Sequence, residues 1–325
     1  MNVGNIALNI YSFGYSAGFI KDDRNLDRVP SVRIKEFPAL AKLFGLGGIE
    51  FPFDYYFSNR LQDGIAFVQS AQKQGLRVAI DFEKIDEASL MRVISALRTC
   101  GIDRARIKMN HALYGGNRYK IVEFDQWKEE FINQLQRLVP LLAKAQFKFL
   151  IENHQDFGSV DLVDIITRTS KEWIGINWDI GNSFAVGETP EMFLARAKSY
   201  IVNLHLKDYY IVKSKIGFGL MRCPLGQGAV DLKTILSALK GLTMSIEIGA
   251  QHTRYVDGEL AEWWESYPTE ICASKEKFLQ FIYSHLGSDN TDGTLWEQYK
   301  MPHEIEEREM QEIRESVDFL KGLVI

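Results

Sequence analysis

Eight short apolar segments recur along the chain, and stretches with helical spacing separate most of them. They are Ile6–Tyr11, Gly48–Phe53, Arg77–Phe82, Arg106–Met109, Phe147–Glu152, Ile174–Asp179, Ile201–Leu206 and Met244–Ile248. Each is rich in Ile, Val, Leu or Phe. Several are almost unbroken apolar runs, as a parallel strand covered on its outer face requires. Phe124, Trp127, Phe131, Leu135, Leu138 and Leu142 follow in steps of three or four, the period of a helix with one buried face. Leu90, Val93 and Leu97 do the same. Thr189-Pro190 reads as a helix cap followed by a first-turn proline. Gly75 and Gly101 stand where helices should stop. Strand–helix alternation implies a parallel sheet, and eight repeats favour a closed (β/α)8 TIM barrel, an α/β fold, over an open doubly wound sheet. No GxGxxG follows the first segment, which weighs against dinucleotide binding.

At 325 residues, the chain has room for one barrel of roughly 250 residues and an extension. The expected division is a barrel carrying the chemistry over 1–250 and a C-terminal extension packed on it over 251–325. The extension ends in an acidic helix from about Pro302 to Leu323, whose charge run reads as a solvated face, and it leaves room for a homo-oligomer contact. A net charge of -5 argues against a nucleic-acid partner. Cys100, Cys223 and Cys272 form neither a metal knuckle nor a disulfide framework, which points to a reducing, cytoplasmic setting. No run of 18 apolar residues exists, so no membrane span is expected. The N-terminal MNVGNIALNIY lacks a basic start and reads as a first strand, not a signal peptide.

In such a barrel, catalytic groups come from strand C-termini and the loops that follow. Strand five ends in Glu152 and strand six in Asp179, while strand seven carries His205 and strand eight Glu247. The separations of 27, 26 and 42 residues are one βα unit, another, and one unit plus a long loop. The four groups are therefore expected at the same height. Three carboxylates and an imidazole converging there would repel, and burying such charge without a partner is costly. One divalent cation resolves the conflict. A histidine with three oxygen ligands suits Mn2+ first, with Mg2+, Co2+ or Zn2+ as alternatives. Lys108 and His111, at the end of strand four, are candidate proton donors or anion contacts. Candidate substrate contacts are His154, Lys207, Arg222, Glu50, Glu83 and Tyr11. Lys207 shares a strand face with His205, and Arg222 has the fork geometry to clamp a carboxylate or phosphate.

Read in order, Glu152-Asn153-His154, Asp179-Ile180-Gly181-Asn182, His205-Leu206-Lys207-Asp208 and Pro224-Leu225-Gly226-Gln227-Gly228 resemble the xylose-isomerase-like TIM-barrel superfamily, the sugar phosphate isomerases and epimerases. The resemblance covers about residues 5–250. It implies that Glu152, Asp179, His205 and Glu247 hold a metal that binds adjacent sugar oxygens. That metal would act as a Lewis acid on a developing enediolate, with Glu152 and Glu247 as both ligands and acid/base pair. Two positions depart from the ketose 3-epimerases of the family. Asn182 stands where they have a histidine, and is taken as a substrate contact. Gly158 stands where they have a second glutamate.

The ENH signature and the long loop after strand seven look more like members acting on oxidised or cyclic polyols. The expected activity is therefore a metal-dependent isomerase or epimerase of a sugar or sugar-derived carbonyl compound. The alternative is a lyase, either a decarboxylase of a 3-oxo sugar acid or an inosose-type dehydratase. A decarboxylase would need a cation for the substrate carboxylate, and Lys108, Lys207 and Arg222 are candidates. Abasic-site endonucleases share the barrel but draw on further histidines. Six histidines in all and the acidic balance weigh against that reading.

Overall fold

The computed structural model describes residues 1–21, 28–109, 118–287 and 292–324. In chain order, the strands are β1 (Ile6–Asn9), β2 (Gly48–Pro52), β3 (Arg77–Asp81), β4 (Arg104–Ile107), β5 (Lys148–Glu152), β6 (Ile174–Asp179), β7 (Ile201–Leu206), β8 (Tyr209–Lys213), β9 (Phe218–Arg222), β10 (Thr243–Ile246) and β11 (Arg254–Val256). β1 to β7 and β10 close into a parallel barrel, a TIM barrel, with β10 between β7 and β1. Each segment expected from the sequence is one of its strands. Some ends differ by a few residues. β1 stops at Asn9 because the Asn9 carboxamide accepts the Tyr11 N–H at 3.0 Å, turning the chain into a short 3-10 helix, Ile10–Phe13. Such local bonds compete with a strand ladder.

Helices cover the outer face. Phe124–Ala145 buries the predicted stripe, including Phe131, Leu135, Leu138 and Leu142. Glu87–Thr99 buries Leu90, Ile94 and Leu97. Pro190–Ala197 is capped by the Thr189 hydroxyl, which accepts the Met192 N–H at 3.3 Å. Gly75 and Gly101 close helices with φ of 82° and 75°. Among the described residues, no helix is long and apolar enough to cross a membrane.

Two features were not foreseen. The long loop after strand seven is ordered. β8 and β9 form an antiparallel hairpin, and β11 extends it on the β9 side. The acidic C-terminal helix, Pro302–Gly322, is also not simply solvated on its charged face, because Glu309 and Glu312 are buried. Glu309 accepts the N–H groups of Tyr15 and Ser16, each at 2.9 Å, and the Gln251 amide at 2.8 Å. Backbone donors in the loop after β1 find no strand partner there, and a helix carboxylate supplies one.

One irregularity sets the register of the barrel mouth. Ile176 pairs with Ile201 but Asn177 pairs with Asn203, so β7 carries one extra residue, Val202. Without that bulge Asp179 would face Leu204; with it, Asp179 pairs with His205. A one-residue slip exchanges the two faces of a strand, so the bulge is what turns His205 inward. Gly175 makes room for it, since a Cβ there would lie 2.7 Å from Val202 Cγ2.

Candidate metal centre

Glu152 ends β5, Asp179 ends β6, His205 lies on β7, and Glu247 immediately follows β10. One ligand atom from each lies within 4.8 Å of all the others. The expectation of equal height needs one refinement. Glu152 pairs with Asn177, and His205 pairs with Ser245, so the register advances by two residues at each of those steps. Strand tilt and stagger in a closed barrel bring the staggered positions to one level, and steps of two keep every side chain inward.

The cluster is buried and rich in acceptors. His205 Nδ1 lies 2.9 Å from Glu247 Oε2 and 3.9 Å from Glu152 Oε1. Glu152 Oε1 and Asp179 Oδ1 are buried with no hydrogen-bond partner among the described residues. Lys207 Nζ bridges Asp179 and Glu247, the latter at 2.9 Å, and Arg106 pairs with Glu152. Burial, with Glu247 and Glu152 nearby and Lys207 opposing, pushes the Asp179 carboxyl up to about 7. Burial alone would raise Glu247, but Lys207 and His205 hold it well below the usual carboxylate range. Burial alone would lower His205, but Glu50 and Glu247 raise it well above its ordinary value. Counted as charged groups, the carboxylates of Glu50, Glu152, Asp179 and Glu247 outnumber the cations Arg106 and Lys207, an imbalance that a divalent ion beside His205 would offset. Orphaned oxygens, an imidazole nitrogen and no thiolate are a donor set that can bind such an ion.

Above the cluster opens a cavity of about 750 Å3, lined in part by Tyr11, Glu83, Lys108, His154, Glu247 and Arg254. Lys108 Nζ lies 3.0 Å from Glu83, whose other oxygen takes the Tyr11 hydroxyl. Burial raises Glu83, but Arg106 and Lys108 outweigh it and hold the carboxyl low. Burial and the surrounding cations Lys108 and Arg106 keep His154 well below its ordinary pKa, hence neutral. Three of the expected substrate contacts (Tyr11, Glu83 and His154) and the candidate proton donor Lys108 thus share one chamber with Glu247.

Others lie elsewhere. Glu50 sits beneath the cluster, 2.9 Å from His205 Nε2, and lines no part of that cavity. Asn182 is fully buried and donates to Asp179 Oδ2 at 2.8 Å while accepting from Gln155 and Tyr209; it orients Asp179. Lys207 is engaged by the carboxylates of the cluster. Arg222 is not among the residues that line the cavity. Its guanidinium donates to Gly249 O at 2.8 Å and Ser12 O at 3.1 Å and pairs with Glu312 at 2.6 Å. Both terminal nitrogens of the fork are thus engaged by carbonyls and a buried carboxylate, and they are the pair a bidentate clamp would use. His111 lies outside the described residues.

Several further residues shape the site. Arg106 lies two residues before Lys108, on the same inward face of the chain, and that alternation was its signal. Asn9 donates to Glu247 Oε2 at 3.0 Å. Asn153 donates to Asp179 O at 2.9 Å and accepts Asp179 N–H at 2.8 Å, so the middle of the ENH run splices β5 to the end of β6. Asp208 accepts four backbone N–H groups, from Tyr209, Gly226, Gly228 and Val230, at 2.9 to 3.0 Å. This ties the end of the HLKD run to the PLGQG loop. Gly228 is required there, because a Cβ would stand 2.3 Å from Asp208 Oδ1.

A family profile described as xylose isomerase-like TIM barrel matches residues 38–267. The chain is 20% identical over 226 residues to 3-oxo-isoapionate decarboxylase of Pectobacterium atrosepticum, covering 68% of this chain and 75% of that protein. It is 25% identical over 174 residues to the uncharacterized protein YihM of Escherichia coli, 54% of this chain and 51% of that one; the match spans about half the length of that relative. Among solved structures, the 3-keto-D-glucoside 4-epimerase YcjR from E. coli superposes with a TM-score of 0.52 at 14% identity, covering 86% of this chain and 99% of that one.

Proposed function

The chain belongs to the xylose isomerase-like TIM-barrel family, and from that premise we propose that it is a divalent-metal-dependent isomerase or epimerase of a sugar or sugar-derived carbonyl compound. The observation that carries the proposal is the convergence of Glu152, Asp179, His205 and Glu247, with buried oxygens that find no donor among the described residues. In this reading those four hold the ion, Mn2+ by preference. A bound ion would supply Lewis acidity at the substrate carbonyl. Glu152 and Glu247, on β5 and just past β10, flank the α-carbon and exchange its proton through an enediolate of the substrate. Arg106 and Lys207 hold the two carboxylates in place. Tyr11, Glu83, Lys108 and the neutral His154 bind hydroxyl groups, and Lys108 is a proton donor. We take residues 1–250 as the barrel bearing this site and 251–325 as an extension packed on it. The free thiols of Cys100, Cys223 and Cys272 suit a reducing, cytoplasmic setting.

A second reading is favoured by three cations among the residues that line the cavity, Lys108, Lys120 and Arg254, and by the likeness to a decarboxylase. A 3-oxo sugar acid would place its carboxylate against these groups and lose it as CO2, with no base needed for an α-proton.

Incubation of Mn2+-loaded protein with ketoses, inososes and 3-oxo sugar acids in D2O separates the two. Deuterium at the α-carbon without loss of mass supports isomerase or epimerase chemistry, whereas CO2 release supports the lyase. Full activity after EDTA treatment and dialysis ends both readings.

A further inference from the structure

Glu50 was expected among the substrate contacts, yet it lies below the cavity, only 1% exposed. Its backbone is fixed in mid-strand, paired with Asn9 of β1 and Ala79 of β3. From there Glu50 Oε1 reaches His205 Nε2 at 2.9 Å, three strands away around the barrel. The other imidazole nitrogen, Nδ1, faces Glu247 and Glu152. His205 is itself fully buried, and no other residue is bonded to Nε2 among the described residues.

We propose that Glu50 is the positioning residue of the metal centre, fixing the His205 ring so that Nε2 carries the proton and Nδ1 presents its lone pair to the ion. The inference rests on the metal-binding reading given above. A carboxylate offers only acceptor oxygens, and a neutral imidazole has one donor and one acceptor nitrogen. A hydrogen bond from Nε2 to Glu50 therefore assigns the roles of both nitrogens at once. Carboxylate–histidine–metal triads act in this way, and losing the outer partner weakens metal binding by roughly 10–100-fold. The orienting group comes from β2 and the ligands from β5 to β10, so the site is braced across the barrel interior, out of reach of substrate.

The test is isothermal titration of chelator-stripped full-length protein with MnCl2 and ZnCl2, paired with 15N-histidine NMR of the Zn2+-loaded form. Wild type should bind one ion per chain, with His205 protonated at Nε2 and metal-bound at Nδ1. Glu50→Leu should bind roughly 10–100-fold more weakly and lose the single-tautomer signature. Glu50→Gln keeps an acceptor oxygen and should fall in between; being isosteric, it decides the matter if the leucine variant does not fold by circular dichroism. Wild-type affinity and tautomer in the variants would overturn the proposal with the metal site intact. So would two ions per chain in wild type and one in the variants, since Glu50 would then be a ligand, with Asp81 beside it. Absence of any ion from the wild type would overturn the metal reading and this proposal together.

Discussion

Glu152, Asn153 and His154 are consecutive, yet each has its own task. Glu152 faces the cluster, His154 lines the cavity, and Asn153 bonds both backbone groups of Asp179. Asn153→Ala strips those two buried groups of their partners, at about 1–3 kcal/mol for each group left unsatisfied. Urea denaturation of the variant should show that loss, and metal affinity should fall because Asp179 loses its anchor. Glu247→Gln makes a different prediction. It should lower kcat by roughly 10²–10⁴-fold, the contribution of a positioned acid–base group, while the far-ultraviolet circular dichroism stays unchanged. A variant retaining wild-type turnover would remove Glu247 from the chemistry. Glu152→Gln and His205→Asn should abolish metal binding altogether.

At the scale of elements, the bulge in β7 is the least visible determinant of the site. Gly175→Ala places a methyl against Val202 and should destabilise the protein by about 1–3 kcal/mol, the usual penalty of overpacking. A thermal melt checks this. The sequence announced the barrel because strand after strand is apolar and the helical stripes are regular. It announced the four cluster residues because charged groups at the ends of buried strands are anomalous. It did not announce the bulge, since Val202 is an ordinary strand residue and its register depends on a neighbouring strand. The place of Arg222 was not legible for a related reason: whether a guanidinium faces a cavity or a helix depends on where the distant C-terminal helix docks. A further ion cluster shows the same dependence. Asp161, in the helix Ser159–Arg168, lies 2.6 Å from Arg118 and 3.0 Å from Lys128. Burial raises its carboxyl, but the two cations outweigh burial and hold it below the ordinary range. A depressed folded pKa means stabilisation present above the unfolded value of about 3.9 and lost as the pH falls through the folded one. Asp161→Asn should therefore cost about 3–5 kcal/mol near neutrality, with the gap to wild type narrowing as the pH drops below about 4. Chemical denaturation across that range would measure it, and a gap independent of pH would contradict the assignment.

For the molecule as a whole, the metal reading predicts linkage between ion and stability. An ion that binds only the folded chain adds about 2.7 kcal/mol at one hundred times its Kd, so MnCl2 should raise the thermal midpoint by several degrees in a concentration-dependent way. An unchanged midpoint in wild type, or an equal rise in His205→Asn, would count against the site. The C-terminal helix bears on the same mouth. Glu309 holds the loop after β1, Arg222 holds carbonyls of both that loop and Gly249, and Glu312 neutralises Arg222. Glu309→Ala leaves the Tyr15 and Ser16 amides bare and should be severe, at about 1–3 kcal/mol for each.

The contact between Tyr15 and Glu309 joins residues 294 positions apart. A chain made from its N-terminus emits all eight barrel strands before the helix that secures the loop beside the first. Until Glu309 emerges, the amides of Tyr15 and Ser16 lack their acceptor, and Arg222 lacks its counter-charge. Contacts of such long sequence separation are formed slowly. The barrel strands can therefore pair during synthesis before the loop after β1 is secured, which waits for Glu309 to follow them.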